Sequence, residues 1–276
     1  MMSAGRKSGV AVAFAALVLL SACEPPPPQF EQFSAKEIYD RAEYELSQDN
    51  AEEAANFFGE VERLYPYSEW ARRALIMQAY ALHVDRKYEE SRVAAQRYID
   101  FYPADKDAAY AQYLLALSYY DQIDDVGRDQ GVTFQALQAL RLVIERYPDS
   151  EYARSAILKF DLAFDHLAGK EMEIGRYYLK KEHYTAAANR FRTVVQDFQT
   201  TSQTPEALYR LIECYLSLGL REEAQTAGAI LGYNFQGSVW YEDAYTLLTG
   251  QGLPLEPAGG SWLVQIYRQS IKGEWL

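Results

Sequence analysis

Glu62-Arg63-Leu64-Tyr65-Pro66 returns as Ile99-Asp100-Phe101-Tyr102-Pro103 and again as Ile144-Glu145-Arg146-Tyr147-Pro148. The three prolines stand 37 and then 45 residues apart. Ahead of each runs an apolar stripe with one spacing, i, i+4, i+7: Ala54, Phe58, Val61; Ser91, Ala95, Tyr98; Ala136, Leu140, Val143. That spacing lays three side chains along one face of a helix. The proline then stops the helix, because it lacks the N–H that the next hydrogen bond needs and its ring clashes with the preceding turn. Upstream of the second and third stripes, another helix places a small residue one turn from a large one, Ala79 with Leu82 and Ala116 with Tyr119. Small residues at those points let two helices approach closely.

The pattern is that of helix–turn–helix repeats nominally 34 residues long, the tetratricopeptide arrangement. Two weaker copies follow. Ala187, Phe191 and Val194 repeat the stripe with Gln199 in the proline position, and Ala224 with a turn at Gly219 marks a fifth. Glu52-Glu53, Glu89-Glu90 and Glu222-Glu223 each open a second helix, where carboxylates meet the positive end of the helix dipole. The expected fold is all-α, an α-solenoid of about five such repeats. Two departures interrupt the period. About eight extra residues, within Asp121 to Gln130, separate the helices of the third repeat. Glu151 to about Tyr184 then holds no proline, with Gly169 and Gly175 its only breakers, and reads as one long helix or two nearly continuous ones. The repeats thus divide into an N-terminal group, 34–149, and a C-terminal group, 150–250. Beyond it, 251–276 reads as a mobile tail, Pro/Gly-rich to Gly260, with a short helix within Trp262 to Trp275.

The N-terminus is an address. Arg6 and Lys7 precede an apolar run from Val10 to Leu20, eleven residues long and too short to span the ~30 Å hydrocarbon layer as a helix. With Leu20-Ser21-Ala22-Cys23 at its end, segment 1–22 reads as a lipoprotein signal peptide. Cleavage before Cys23 leaves a cysteine for lipidation, and acyl chains bind a bilayer by ~0.8 kcal/mol per buried methylene. Glu24 follows rather than an Asp, which permits sorting to the outer membrane. Segment 23–33 is then a lipidated tether, stiffened by Pro25 to Pro28 into a polyproline II spacer.

Of 276 residues 49% are hydrophobic and 24% charged, which excludes a disordered chain. The net charge of −12, without a Lys/Arg cluster, is a poor match to phosphate backbones, so no nucleic acid partner is expected. Two cysteines, Cys23 and Cys214, cannot build a disulfide framework or a four-ligand zinc site. His83, His166 and His183 have no ligand partners at helical spacing, and Asp121, Asp124, Asp125 and Asp129 fail the EF-hand pattern. There is no nucleotide loop, nucleophile elbow or zinc-protease signature. We therefore expect no catalytic residues, no metal and no cofactor, and a protein that is not an enzyme. Cys214 reads as a buried packing residue. Tyrosine is abundant at 23 residues, and Tyr39, Tyr44, Tyr65, Tyr80, Tyr98, Tyr113 and Tyr119 are candidates to line a peptide-binding face, although for most of them packing in the repeat core or between repeats is the expected role.

Three segments carry a resemblance: Tyr65-Pro66-Tyr67-Ser68-Glu69-Trp70-Ala71, the run from Ser118-Tyr119-Tyr120 through Gly127-Arg128-Asp129-Gln130, and Leu167-Ala168-Gly169-Lys170-Glu171-Met172-Glu173-Ile174-Gly175-Arg176-Tyr177-Tyr178. Over about residues 23–250 the chain resembles the BamD family of outer-membrane protein assembly factors. The resemblance implies a periplasmic lipoprotein of the β-barrel assembly (BAM) machinery, held on the outer membrane through Cys23. It implies C-terminal repeats that dock on a POTRA domain of the barrel subunit BamA, with Asn189 and Arg190 matching the family's Asn-Arg pair. It implies N-terminal repeats that receive unfolded outer-membrane proteins, with Tyr65 and Arg97 at the matching positions, and it leaves room for contacts with other BAM lipoproteins. The alternative is another periplasmic repeat adaptor lipoprotein that coordinates peptidoglycan synthesis or envelope constriction.

Overall fold

The structure, a computed structural model, describes residues 30–256, 258 and 262–271. The signal peptide, Cys23 and the four prolines of the tether lie outside the described residues. After a 3-10 turn, Phe30–Gln32, come twelve α-helices, and no strand occurs among the described residues. They are α1 (Ala35–Ser47), α2 (Ala51–Leu64), α3 (Glu69–Val84), α4 (Tyr88–Phe101), α5 (Ala108–Tyr120), α6 (Gly131–Arg146), α7 (Glu151–Lys180), α8 (Tyr184–Asp197), α9 (Thr204–Ser217), α10 (Arg221–Asn234), α11 (Val239–Gly250) and α12 (Trp262–Ile271). From α1 to α11 each helix packs on the next, and α1 also touches α3, α3 touches α5, α5 touches α7 and α9 touches α11. This is the expected α-solenoid.

One local device joins the repeats. Tyr65, Tyr102, Tyr147, Phe198 and Phe235 each end a second helix in nearly the same backbone conformation, with φ between −127° and −135°. Three residues on, the N–H of Ser68, Asp105, Ser150, Thr201 or Ser238 returns to that aromatic's carbonyl at 2.9–3.1 Å. Pro66, Pro103 and Pro148 fill the second position of these tight turns, where a fixed φ suits the chain. The Oγ of Ser68, Ser150 and Ser238 then accepts the N–H of Ala71, Ala153 and Tyr241, capping the next helix. Within repeats the turn takes a left-handed residue: Asp49, Arg86, Glu182 and Gly219 have φ of 61°, 61°, 60° and 77°.

The stripes form the core. Ala54, Phe58 and Val61 pack with Ile38, Tyr39 and Ala74. Ala95, Tyr98, Leu140 and Val143 pack with Leu75 and Leu114. Phe191 and Val194 pack with Met172, Leu208, Leu211, Ile212 and Leu231. Each large side chain so buried contributes roughly 1.5–3 kcal/mol. Ser91, the polar member of its stripe, is fully buried and donates to the Ala79 carbonyl at 2.8 Å. Tyr39 and Tyr98 lie in the core rather than on an exposed face, and Tyr80, Tyr113 and Tyr119 lean against it; Tyr44 is exposed.

The proline-free stretch is a single helix of 30 residues. Its first turns pack through Ala156 on α5 and α6, and its last turns pack on α8, with Met172 in the C-terminal core. Neither glycine breaks it. A Cβ on Gly175 would stand 2.5 Å from Cε1 of the buried Phe191 ring, so glycine is what lets α8 sit this close. Gly169 faces Val126 of the inserted loop with ordinary space to spare. That loop is clasped to α7: Lys170 donates to the Gly127 carbonyl at 2.7 Å, and His166 Nδ1 lies 3.1 Å from the side-chain oxygen of Gln130.

Where 251–276 reads as a mobile tail from sequence, its described residues form a packed segment. Leu253 and Leu263 are buried in the C-terminal core, and the Thr226 hydroxyl lies 3.0 Å from both the amide and the carbonyl of Ala258. The short helix expected there is α12, with Arg192 over the Trp262 ring at 4.6 Å.

Candidate functional site

The candidate residues fall at two separate places. Tyr65 ends α2, and its hydroxyl donates to the Phe33 carbonyl at 2.5 Å, so the side chain ties the N-terminal entry segment to the first repeat. Its partly buried side chain packs against the first core, while Tyr67, two residues on, stands fully in solvent. Arg97 lies on α4 and pairs with Glu62, one turn before Tyr65 on α2. Glu62 thereby brings Arg97 toward the end of α2. The pairing lies 35 residues away along the chain, one repeat period, and so do Lys87 with Glu52. Arg72 with Asp105, separated by 33, belongs to the same class.

Asp105 is the most connected carboxylate of this half. It accepts from Asp107 N–H at 3.0 Å and Tyr98 hydroxyl at 2.9 Å, and Arg72 Nη1 lies at 2.5 Å. The Asp107 N–H, then the Tyr98 hydroxyl and Arg72, hold it below the usual carboxylate range against the cost of burial. It takes the place that Ser68 and Ser150 occupy in other turns and binds α3, α4 and the start of α5 together.

His83, Ser118 and Asp121 stand in hydrogen-bond sequence, with Nδ1 3.0 Å from Ser118 Oγ and Nε2 3.1 Å from Asp121. The order is that of a nucleophilic triad, but Ser118 is fully buried and its hydroxyl lies 3.1 Å from Ser91 Oγ. No substrate could reach it, so the set works as a clasp between α3, α4 and α5. Burial holds the His83 imidazole below its ordinary value, with Asp121 opposing. Burial also pushes the Cys214 thiol up to about 12, which makes it an inert packing residue, as its apolar neighbours suggest. Among the described residues no group of three or more His, Cys, Asp or Glu is placed to hold a metal ion, and no helix is long and apolar enough to cross a membrane.

The second place is the outer face of α8. Asn189 and Arg190 line a shallow concavity of about 250 Å³ with Tyr178, Ala186 and Thr193. Arg190 donates through Nη1 to Glu171 of α7 at 3.1 Å, and its side chain remains 43% exposed. Its Nε and Nη2 make no hydrogen bond among the described residues. Arg176, whose side chain is 44% exposed, differs in its bonding rather than its exposure. It meets Glu206 with two parallel bonds of 2.9 and 2.6 Å, and Arg210 adds a third at 3.3 Å. Burial alone would raise the Glu206 carboxyl, but the two arginines outweigh it and hold it low. Arg176 thus joins α7 to α9 through two donors, while Arg190 uses only Nη1 of its donor fork. The sequence nominates Asn189, Arg190, Tyr65 and Arg97 but not their partners Glu171 and Glu62, whose only signal is a position on a neighbouring helix.

Most of the chain is similar to known proteins. A family described as "Outer membrane lipoprotein" matches residues 31–230. A protein of Caulobacter vibrioides is 50% identical over 228 residues, covering 83% of this chain and 75% of its own. One of Rickettsia prowazekii is 44% identical over 211 residues, covering 76% and 84%. One of Neisseria meningitidis serogroup A is 29% identical over 225 residues, covering 78% and 84%. All three carry the name outer membrane protein assembly factor BamD. With a repeat solenoid throughout and a family match across its body, the chain belongs to the BamD family of outer-membrane lipoproteins.

Proposed function

We propose that this chain is a non-catalytic scaffold subunit of the BAM complex, which binds the BamA POTRA domain and unfolded outer-membrane proteins for insertion into the outer membrane. Family membership, with the family match spanning residues 31–230 of the solenoid, is the observation that carries the reading. Cys23 is the lipidation site and holds the protein at the periplasmic face of the outer membrane. Confinement near the membrane raises its effective concentration for BamA. Asn189 and Arg190 form the BamA contact, with the free side of the Arg190 fork taking a partner carboxylate. Tyr65 and Arg97 mark the precursor-binding end.

Arg190 tests the docking role. Arg190→Glu places two acids together inside the protein, at Glu171, as well as at the interface, so it is compared with the exchanged pair Arg190→Glu/Glu171→Arg. The exchange restores the internal pair but not the outward donor at position 190. BamA co-purification lost in both variants, with the melting temperature recovered in the exchange, supports docking. Full co-purification with the exchanged pair rejects it. For the precursor end, Tyr65→Phe and Arg97→Gln should weaken binding of peptides copied from precursor C-termini while BamA co-purification persists. At the cellular level, depletion of the protein should remove barrel proteins from the outer membrane.

A further inference from the structure

One face of the middle of α7 is bare, while on the other Ala163 and Leu167 are buried against Leu137 of α6. Ala153 and Ala156 are buried toward α5 and α6, and Ala168 and Met172 toward α8. Between them Leu158 and Leu162, one turn apart, are 63% and 62% exposed, and Ile157 beside them is 44% exposed. A two-helix repeat would continue with a partner helix here, but the chain runs on as one long helix and none is supplied. The inserted loop closes one side instead. Ile123, Val126 and Tyr120 face Leu162, Ala163 and His166 across a groove of about 520 Å³.

This wall is already built. Gln130 donates to the carbonyls of Val126 at 3.2 Å and Arg128 at 3.0 Å, and Lys170 holds Gly127. A ligand entering the groove therefore has little loop to order. Carboxylates flank the apolar strip: Asp124 and Asp125 on the loop, Asp161 and Asp165 on α7. The nearby cations do not neutralise them all. Arg128 is paired to Asp124, Lys159 lies over the Tyr120 ring, and Arg154 stands a turn before Leu158. Asp165 is occupied by the neutral donors Ser202 and Gln203, and Asp161 has no hydrogen bond or ion pair among the described residues.

We propose that this groove and the bare ridge of α7 dock a basic amphipathic helix of another protein, with its apolar face on Leu158, Leu162, Ile123 and Val126 and its cations on Asp125 and Asp161. Charge selects this occupant over a second copy of the chain. A self-complementary contact would bring Asp125 and Asp161 against acids of an equally acidic copy, each chain carrying a net charge of −12. The site is separate from the residues proposed for BamA and precursor binding, so it stands or falls without them.

The test titrates the full chain against a fluorescein-labelled synthetic helix with leucines at i, i+3, i+4 and i+7 and lysines elsewhere, read by fluorescence anisotropy. A counterpart with glutamate for lysine is the control. Binding at one saturable site is expected, at least tenfold weaker for the glutamate peptide. It should weaken at least tenfold again in Leu158→Ser/Leu162→Ser and in Asp125→Asn/Asp161→Asn, and survive in Leu158→Met/Leu162→Met. Because both leucines are exposed, melting temperatures of these variants should match the parent. Equal binding to either weakened variant, or to both peptides, overturns the proposal. So does self-association of the parent that Leu158→Ser/Leu162→Ser abolishes, which would assign the ridge to a second copy.

Discussion

The first two repeats and the last two build the same turns, and both carry ion pairs between helices, Arg176 with Glu206 in the C-terminal half included, but their apolar cores are organised differently. In the N-terminal half, pairs one repeat apart cross from helix to helix: Arg72 with Asp105, Lys87 with Glu52, Arg97 with Glu62. Its apolar residues form two clusters rich in alanine and tyrosine. In the C-terminal half one continuous cluster runs from Met172 to Leu263, and glycines let large groups close in: Gly175 on Phe191, Gly228 on Leu248, Gly232 on Tyr241. Turn geometry is thus set locally and tolerates either solution. The strength and sensitivity of each half depend on what fills the space between helices.

Substitutions can break or sharpen that contrast. The largest effect should come from Phe191→Ala, which empties a fully buried site of the C-terminal core and should cost about 3–5 kcal/mol in urea unfolding. Next is a pair within α7. Gly175→Ala should cost about 1–3 kcal/mol, because its Cβ meets a ring with nowhere to move. Gly169→Ala, with space around it, should instead stabilise by up to about 1 kcal/mol through helix propensity. If both alanines behave alike, close packing is not what distinguishes this half.

In the N-terminal half, Asp105→Asn should cost about 1–2 kcal/mol by weakening charge-assisted hydrogen bonds. Because the folded state lowers the Asp105 pKa, its contribution is present above the unfolded carboxylate value and is lost as pH falls through the folded one. Parent and variant should therefore converge in melting temperature at acid pH, and a constant difference down the titration would disprove the ionic origin. The smallest effect is expected at the left-handed turns. Glu182→Gly should stabilise by up to ~1 kcal/mol by relieving a strained φ, whereas Gly219→Ala should destabilise by a similar amount, both read by thermal unfolding.

The stripes and the Tyr-Pro stops were legible because each is a local pattern repeated in phase. The capping serines were present in the same segments, at Ser68 and Ser150, yet their role shows only when the helix that follows each proline has a start. Gly169 and Gly175 read as breakers in isolation. Inside α7 the surrounding contacts outweigh a propensity cost of ~1 kcal/mol each. Tyr39 and Tyr98 lie in the core, the role expected for most of the candidate tyrosines, but composition alone does not say which of them stay exposed, as Tyr44 does. Asn189, Arg190, Tyr65 and Arg97 were reached by resemblance. Whether an arginine is spent or free depends on Glu171, Glu62 and Glu206, which lie on other helices.

The linear chain by itself determined that the protein is a run of amphipathic helices in repeats, where each second helix stops and where the period slips. Those features rest on backbone hydrogen bonding and on side-chain spacing within a few residues. Only the packed structure decided that the slip becomes one unbroken helix, that Arg176 meets Glu206 with two bonds while Arg190 meets Glu171 through Nη1 alone, and that Leu158 and Leu162 are left uncovered. Each of those outcomes depends on which groups of distant segments come within a few ångströms of one another, and helix periodicity does not specify that.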